Sequence, residues 1–397
     1  MTTKLAAMDL FAGCGGLSLG LQSAGIDVKW ANERDLSAAA TYAACDSLVK
    51  MSVEDVADYY IRMRDSDKKL PAPGQVDLLA GGPPCQGFSG YNRHRNPKDK
   101  RNSLVEVFLD FVVYLKPRFV LMENVPGILS LEKGKVIKLL LASLESIGYQ
   151  ARLGILQAGH YGLPQNRWRV FVFATAKGQQ LPDYPLPTHD FPKSTLFGAS
   201  AFSQNVIRLN SDGSDLFCSP LPTVTVGDAI SDLPVIENGG GSTEGKYTKK
   251  SKSDFQKVMR DNSTILTDHR CKDLGELMLT RCKAVPKRPG AGWLDLPHDL
   301  KPKNLLRHGD DRYANRFGRL HWDGIFNTIL SKPEPYWSRL FHPEQDRVVS
   351  VRECARAQGI PDIVRFAGGM TSAYMQVGNA VPPPLAKAIG LEFINAL

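Results

Sequence analysis

The sequence predicts an α/β fold: a doubly wound, mainly parallel sheet joined to a second, smaller, loop-rich domain. Three observations carry that prediction. Short apolar runs alternate with helix-period segments through the first 180 of the 397 residues, which is how successive βαβ units read. From about Leu181, prolines, glycines and polar residues become frequent and periodicity weakens through about Glu344. Helical periodicity returns at 349–358 and again at 384–393, the last stretch apolar enough to pack back on the first domain. The domains expected are therefore 1–180 plus 372–397 for the sheet and 181–371 for the second domain.

Each element follows from its local pattern. Residues 5–11 are an apolar strand, and 16–24 form the helix after it. Residues 28–31 make a second short strand that ends at Asn32-Glu33, and 37–44 are helical. Residues 76–80 are a strand, 104–115 have helical periodicity, and 119–122 form a buried strand before Glu123-Asn124-Val125. Residues 136–147 are helical and stop at Gly148, and a strand over 170–174 closes the domain. A sheet of this kind takes its ligands at the carboxyl ends of its strands.

Composition sets outer bounds. A net charge of +8 with 43% hydrophobic residues allows a large core and two domains. The positive charge is clustered: Arg93, Arg95, Lys98, Lys100 and Arg101 lie close together, as do Lys249, Lys250 and Lys252. Such runs suit phosphate contacts and equally suit a solvated loop. The seven cysteines form no Cys-x-x-Cys pair, so neither a zinc site nor a disulfide framework is expected, and a reducing compartment is. The sequence lacks a secretory segment and a long apolar span, which predicts a soluble, intracellular protein with no membrane partner.

Cys85 lies in Gly81-Gly82-Pro83-Pro84-Cys85-Gln86-Gly87-Phe88-Ser89, between a strand and a polar, basic loop. A thiol at the end of a stiff Pro-Pro step, flanked by small residues, suits a nucleophile offered to an anionic polymer. The plainer alternative is a buried structural cysteine in a tight turn. Asp9-Leu10-Phe11-Ala12-Gly13-Cys14-Gly15-Gly16-Leu17 ends the first strand, and its glycines let the backbone pass closely under a nucleotide-like ligand. Glu33, at the end of the second strand, is placed to take ribose hydroxyls. Glu123 closes a buried strand, where desolvation favours its holding or giving a proton; an ion pair or helix cap is the alternative. Gln165, Arg167 and Arg169 alternate with period two, which puts them on one face of an extended segment. They would grip a phosphate or base carbonyl there, or else line a surface of salt bridges.

Taken in order, these blocks resemble the DNA (cytosine-5) methyltransferase family, together with 347–361 and Gln376-Val377-Gly378-Asn379-Ala380-Val381-Pro382-Pro383. Gly318-Arg319-Leu320-His321-Trp322-Asp323-Gly324, Pro333-Glu334-Pro335 and His342-Pro343-Glu344-Gln345 look like the catalytic domain of the eukaryotic maintenance-type branch. The resemblance spans nearly the whole chain. It implies a methyltransferase-type sheet domain that binds S-adenosylmethionine, and a smaller DNA-recognition domain. Phe11, Ala12, Gly13, Gly16 and Leu17 would form the donor pocket, with Glu33 on the ribose, Arg34 beside the adenine, Asp55 and Val56 at its edge, and Asn379 and Val381 closing it.

The implied reaction moves a methyl group to carbon 5 of a cytosine flipped out of duplex DNA, in CpG context, leaving S-adenosylhomocysteine. Cys85 would attack carbon 6, Glu123 would bond ring nitrogen 3 and the exocyclic amine, Arg169 would reach the base carbonyl and Arg167 would support the site. Gln86, Ser89, Arg93, Arg95, Arg101, Tyr336 and Trp337 would touch DNA. Two departures stand out. The branch's cysteine-rich zinc cluster has no counterpart in the short, cysteine-free stretch 297–315, and Tyr336-Trp337-Ser338 occupy the place of the usual base-reading residues. The resemblance further implies a nuclear location in a eukaryote, a monomer, and regulatory protein partners; the branch's long amino-terminal modules are missing from a sequence that starts just before the donor motif, which fits a stand-alone enzyme or an excised catalytic part. A tRNA cytosine-5 methyltransferase shares the same catalytic order, and an inactive nucleic-acid-binding scaffold is the rival from another class.

Overall fold

The computed structural model describes residues 4–65, 67–84, 104–192, 200–208, 219–306 and 313–397. Contacts divide the chain into two compact units. One comprises Met1–Tyr161, Trp168–Leu221 and Val381–Leu397, the other Gly162–Arg167 and Pro222–Ala380.

In the first unit the chain runs β1 (Ala6–Leu10), α1 (Gly16–Ser23), β2 (Asp27–Asn32), α2 (Leu36–Cys45), β3 (Lys50–Ser52), α3 (Val56–Arg64), β4 (Leu78–Gly81), α4 (Leu104–Leu115), β5 (Phe119–Asn124), α5 (Lys135–Ser146), β6 (Tyr149–Gln157) and β7 (Trp168–Ala176). Among the described residues these seven strands form one sheet in the order β3-β2-β1-β4-β5-β7-β6. Pairing is parallel from β3 through β5, and β7 enters antiparallel between β5 and β6. This is the doubly wound, mainly parallel sheet that the alternation of segments predicts. Its strand order reverses between β1 and β4, the switch point at which such sheets bind ligands.

Burial explains which strands are visible in sequence. β1 and β4 lie at the centre and are buried along their whole length, so each reads as a continuous apolar run. β3 has three residues at an edge, and β6 carries exposed or half-buried Gln150, Ala151 and Arg152, so neither shows such a run. α4 buries Phe108, Phe111, Val112 and Leu115 at helical spacing, and α5 buries Ile137, Leu140 and Leu144. α3 contains Asp58, Arg62 and Arg64, which dilute its apolar face; its start is set by the Asp55 carboxylate, which accepts the Ala57 N–H.

The second unit is built from short elements: α6 (Val226–Ile230), β8 (Gly241–Lys246), α7 (Asp254–Arg260), β9 (Ile265–Arg270), α8 (Glu276–Ala284), α9 (Lys303–Leu306), β10 (Gly318–Arg319), β11 (Arg339–Phe341), α10 (Val351–Ala357) and α11 (Met370–Asn379). Helices of one or two turns are too brief for periodicity to register. Local chemistry starts them instead, through reciprocal caps at Thr225/Asp228, Ser253/Gln256 and Ser350/Glu353. A core of Cys271, Cys282, Val285, Trp293, Phe317, Phe341 and Val348 fills the unit. Beside it α10 is buried on every side although it carries Arg352, Glu353 and Arg356. These charges are paired: Arg347 forks onto Glu353 at 2.8 and 2.7 Å, and Arg356 bonds Asp362 and Asp232.

The last helix, α12 (Pro383–Asn395), belongs to the first unit and packs on α1. The helices meet at Gly20, where a Cβ would overlap Ala386 Cβ and the Pro383 carbonyl, so glycine is what allows the approach.

Candidate active site

Sheet register sets a common level for the candidate residues of the first unit. Leu10 is paired with both Asn32 and Gly81, and Gly81 with Met122. The next residues along β1, β2, β4 and β5 are Phe11, Glu33, Gly82 and Glu123. These four residues thus stand at one level of the sheet's carboxyl edge, on either side of the switch point, with β5 running one residue further, to Asn124, against β7.

The β1–α1 turn is built for close approach. Phe11, Gly13 and Gly15 all have left-handed backbone, at φ 58°, 57° and 91°. Its frame is the Ala12 N–H donating to the Asn32 carbonyl at 3.0 Å and the Gly15 N–H donating to the Ala12 carbonyl at 3.0 Å. Glu33 accepts the Gly13 N–H at 2.9 Å on one carboxylate oxygen and the Asp35 N–H at 2.8 Å on the other. Nothing lies within 4 Å of where a Cβ on Gly13 would point, so the turn faces open space. α1 follows Gly15, which offers no side-chain cap, and has no acidic residue in its first turn, leaving the positive end of its dipole uncompensated by side chains. Ala12, Gly16 and Leu17 are buried beneath the turn. Arg34 and Asp55, after β2 and β3, stand 3.9 Å apart, and Val56 is buried as the first residue of α3.

At the end of β4 the chain leaves through Gly82, Pro83 and Pro84. Asn124 donates to the Pro83 carbonyl at 3.1 Å and so fixes the direction of the Pro-Pro step. Glu123 pairs with Arg169, Oε1 to Nε 3.0 Å, with side chains only 12% and 9% exposed. A Cβ on Gly82 would sit 3.1 Å from Glu123 Oε2, so glycine lets the strand end pass beside the carboxylate. Arg169 also donates to the Trp168 carbonyl at 2.7 Å. Cys85, Gln86, Ser89, Arg93, Arg95 and Arg101 lie outside the described residues.

In the second unit, Gln165 donates to the Ala357 carbonyl at 2.9 Å and to Gln358 Oε1 at 2.8 Å. Arg167 donates to the carbonyls of Ile329, Gly378 and Ala380 at 3.2, 3.0 and 2.9 Å. Gln165, Arg167 and Arg169 are all buried, so the alternation marks interior side chains and not a surface of salt bridges. Asn379 ends α11 and is exposed, while Val381, in the first unit, is buried. Tyr336 and Trp337 meet edge to face at 4.8 Å.

Two residues have roles that the sequence reading did not anticipate. Asn124 is the clamp on Pro83, and its only signal is its place after Glu123 at a buried strand end. Asp9 is buried on β1, accepts the Ser18 hydroxyl at 2.6 Å, and has one oxygen without a partner. Burial pushes its carboxyl up to about 7. Among the described residues no group of three His, Cys, Asp or Glu could hold a metal, and no helix is long and apolar enough to cross a membrane.

The profile of C-5 cytosine-specific DNA methylases matches residues 5–395. The chain belongs to this family. Among its relatives, rice DNA (cytosine-5)-methyltransferase 1A is 40% identical over 437 residues, covering 99% of this chain and 28% of the relative. Mouse DNA (cytosine-5)-methyltransferase 1 is 39% identical, with 98% of this chain and 28% of the relative covered. The chain thus spans little more than a quarter of the length of these relatives. A prophage-encoded E. coli protein described as a DNA modification methyltransferase shares the fold at a TM-score of 0.70, with 24% identity and 99% of each chain covered. The S. pombe Dnmt2 methyltransferase shares it at 0.52, with 14% identity, 99% of this chain and 97% of that one. The cytosine methylase family and its α/β methyltransferase fold are what the ordered blocks implied.

Proposed function

We propose that this chain transfers a methyl group from S-adenosylmethionine to carbon 5 of a cytosine extruded from duplex DNA, in CpG context, through a covalent bond to Cys85. The observation that carries the reading is the buried Glu123–Arg169 pair, one residue beyond the register level that ends β4, with Asn124 holding Pro83 two residues before Cys85.

The donor set suits S-adenosylmethionine. Glu33 keeps carboxylate lone pairs for the ribose diol while it braces the turn at Gly13 and Asp35. The uncapped start of α1 suits the methionine carboxylate, and the open space at Gly13 leaves room for the donor's backbone. Arg34 with Asp55 and Val56 would flank the adenine, and Asn379 and Val381 would complete the pocket. When bound, the donor supplies an electrophilic methyl group.

The chain's own residues do the remaining chemistry. Cys85, as thiolate, adds to carbon 6 and makes carbon 5 nucleophilic. Glu123 bonds ring nitrogen 3 and the exocyclic amine, where charge changes as the thiolate adds, and Arg169 both orients Glu123 and reaches the base carbonyl. Arg167, whose two terminal nitrogens donate to three carbonyls, supports the 378–380 segment. Loss of the carbon 5 proton then expels the thiol. The base must leave the stack first, because carbon 6 is not accessible within it. Gln86, Ser89, Arg93, Arg95, Arg101, Tyr336 and Trp337 would contact the duplex, and the chain would act in a nucleus.

A duplex carrying 5-fluorocytosine in place of the target tests the reading, since fluorine cannot leave carbon 5 as a cation. Incubation with donor should yield a protein–DNA adduct stable to denaturant, absent with Cys85→Ser. DNA binding without adduct would mean a scaffold; label passing from donor only into tRNA would mean an RNA enzyme.

A further inference from the structure

Arg316 is treated differently from the other buried arginines of the second unit. Arg319, Arg347, Arg352 and Arg356 each aim their N–H groups at carbonyls or carboxylates. Arg316 is only 7% exposed, yet its guanidinium is held by rings: its central carbon lies 4.0 Å from the Tyr313 centroid, 4.5 Å from Tyr336 and 5.2 Å from Trp337. Among the described residues no hydrogen bond or ion pair engages that guanidinium, and its nitrogens are not among the buried atoms lacking a partner. Rings cover the faces of a planar cation and leave its in-plane N–H donors at the rim.

The cage is preset. The Trp293 indole N–H donates to the Tyr313 carbonyl at 3.0 Å, and its backbone N–H to the Arg316 carbonyl at 3.1 Å. The Phe317 N–H donates to the Pro335 carbonyl at 2.7 Å, tying the turn that carries Arg316 to the segment that carries Tyr336 and Trp337. Asn304 donates to the Tyr336 hydroxyl at 2.6 Å, and Phe317 stands edge-on to Tyr336 at 5.8 Å. Trp337, 38% exposed, forms the open side.

A rigid guanidinium whose donor edge meets no partner among the described residues matches the O6 and N7 acceptors on the major-groove edge of guanine, a pattern no other base presents. We propose that Arg316, oriented by the Tyr313–Tyr336–Trp337 cage, is a specificity-determining residue that reads one guanine in the duplex. This rests on the DNA-methylation reading above and names a residue through which that reading acquires sequence preference.

The test selects the full chain on a random-sequence duplex pool and sequences the bound and the methylated fractions separately. The unaltered protein should enrich guanine at one position in the bound fraction. Arg316→Lys keeps the charge but loses the fork, and should lower that enrichment about tenfold while overall affinity changes little. Replacing the selected guanine by 7-deazaguanine removes one acceptor without touching the protein, and should weaken binding of the unaltered chain about fivefold or more. Absence of guanine enrichment, enrichment unchanged by Arg316→Lys, or indifference to 7-deazaguanine would each overturn the proposal. Guanine enrichment that depends on Arg316 in the bound fraction, with an empty methylated fraction, would uphold it and sink the methylation reading instead.

Discussion

Glu123 shows how one buried carboxylate meets two demands. Arg169 offsets the cost of its burial, and the same guanidinium holds it at the strand end beside Gly82. Removing the arginine should therefore hurt stability as well as chemistry. Arg169→Leu leaves an uncompensated buried charge and is expected to cost about 3–5 kcal/mol in urea unfolding. Glu123→Gln keeps the shape and should lower methyl transfer roughly 10²–10³-fold with duplex affinity retained. Equal losses of binding and turnover would argue that Glu123 is only structural. Asp9 makes a second prediction at this scale. Its folded carboxyl is raised to about 7 by burial, against about 4 in an unfolded chain. The folded state thus holds a proton that the unfolded state releases. That contribution to stability is complete below about pH 4 and is lost as pH rises through about 7. The urea-midpoint difference between the unaltered chain and Asp9→Asn should therefore shift against the unaltered chain as pH rises from about 4 to 7; a difference that stays constant over that range would contradict it.

At the scale of elements, legibility tracked burial and length. The central strands β1, β4 and β5 read directly as apolar runs because both faces are covered. Helices α4 and α5 read from their spacing because one face is covered. β3, α3, β6 and α11 did not read, since edge positions and charged residues break the pattern that sequence inspection relies on. In the second unit, reciprocal side-chain caps and buried ion pairs do what periodicity does elsewhere, and a cap fixes only where a helix starts. The α1–α12 contact depends on one absent side chain. Gly20→Ala should overpack it and lower stability by about 1–3 kcal/mol, measured as the shift in urea midpoint. A neutral outcome would mean that the helices slide apart at little cost.

For the molecule as a whole, the buried charges of the second unit predict acid sensitivity. Burial holds His342 down at about 3 and lowers His269. The unfolded chain takes up these protons from about pH 6.5 and the folded chain does not, so stability falls as pH drops below about 6.5. Arg347 holds Glu353 below the usual carboxylate range despite its burial, and that contribution is lost as pH falls below about 4. Both act in the same direction. Acid titration followed by the fluorescence of buried Trp293 should show progressive loss of stability below pH 6, reduced in His342→Asn; stability flat down to pH 4 would contradict this.

The sequence alone determined the α/β class, the order of the blocks and the family, because glycine turns, buried strands and strand-end carboxylates are local chemistry written in neighbouring residues. Tertiary structure alone decided which of those residues meet. Register levelled Glu33 and Glu123, 90 positions apart, at one edge of a sheet. Folding also turned an alternating Gln-Arg-Arg face inward and closed three rings around Arg316. Such meetings depend on strand pairing and close packing between residues far apart in the chain, which no local pattern encodes.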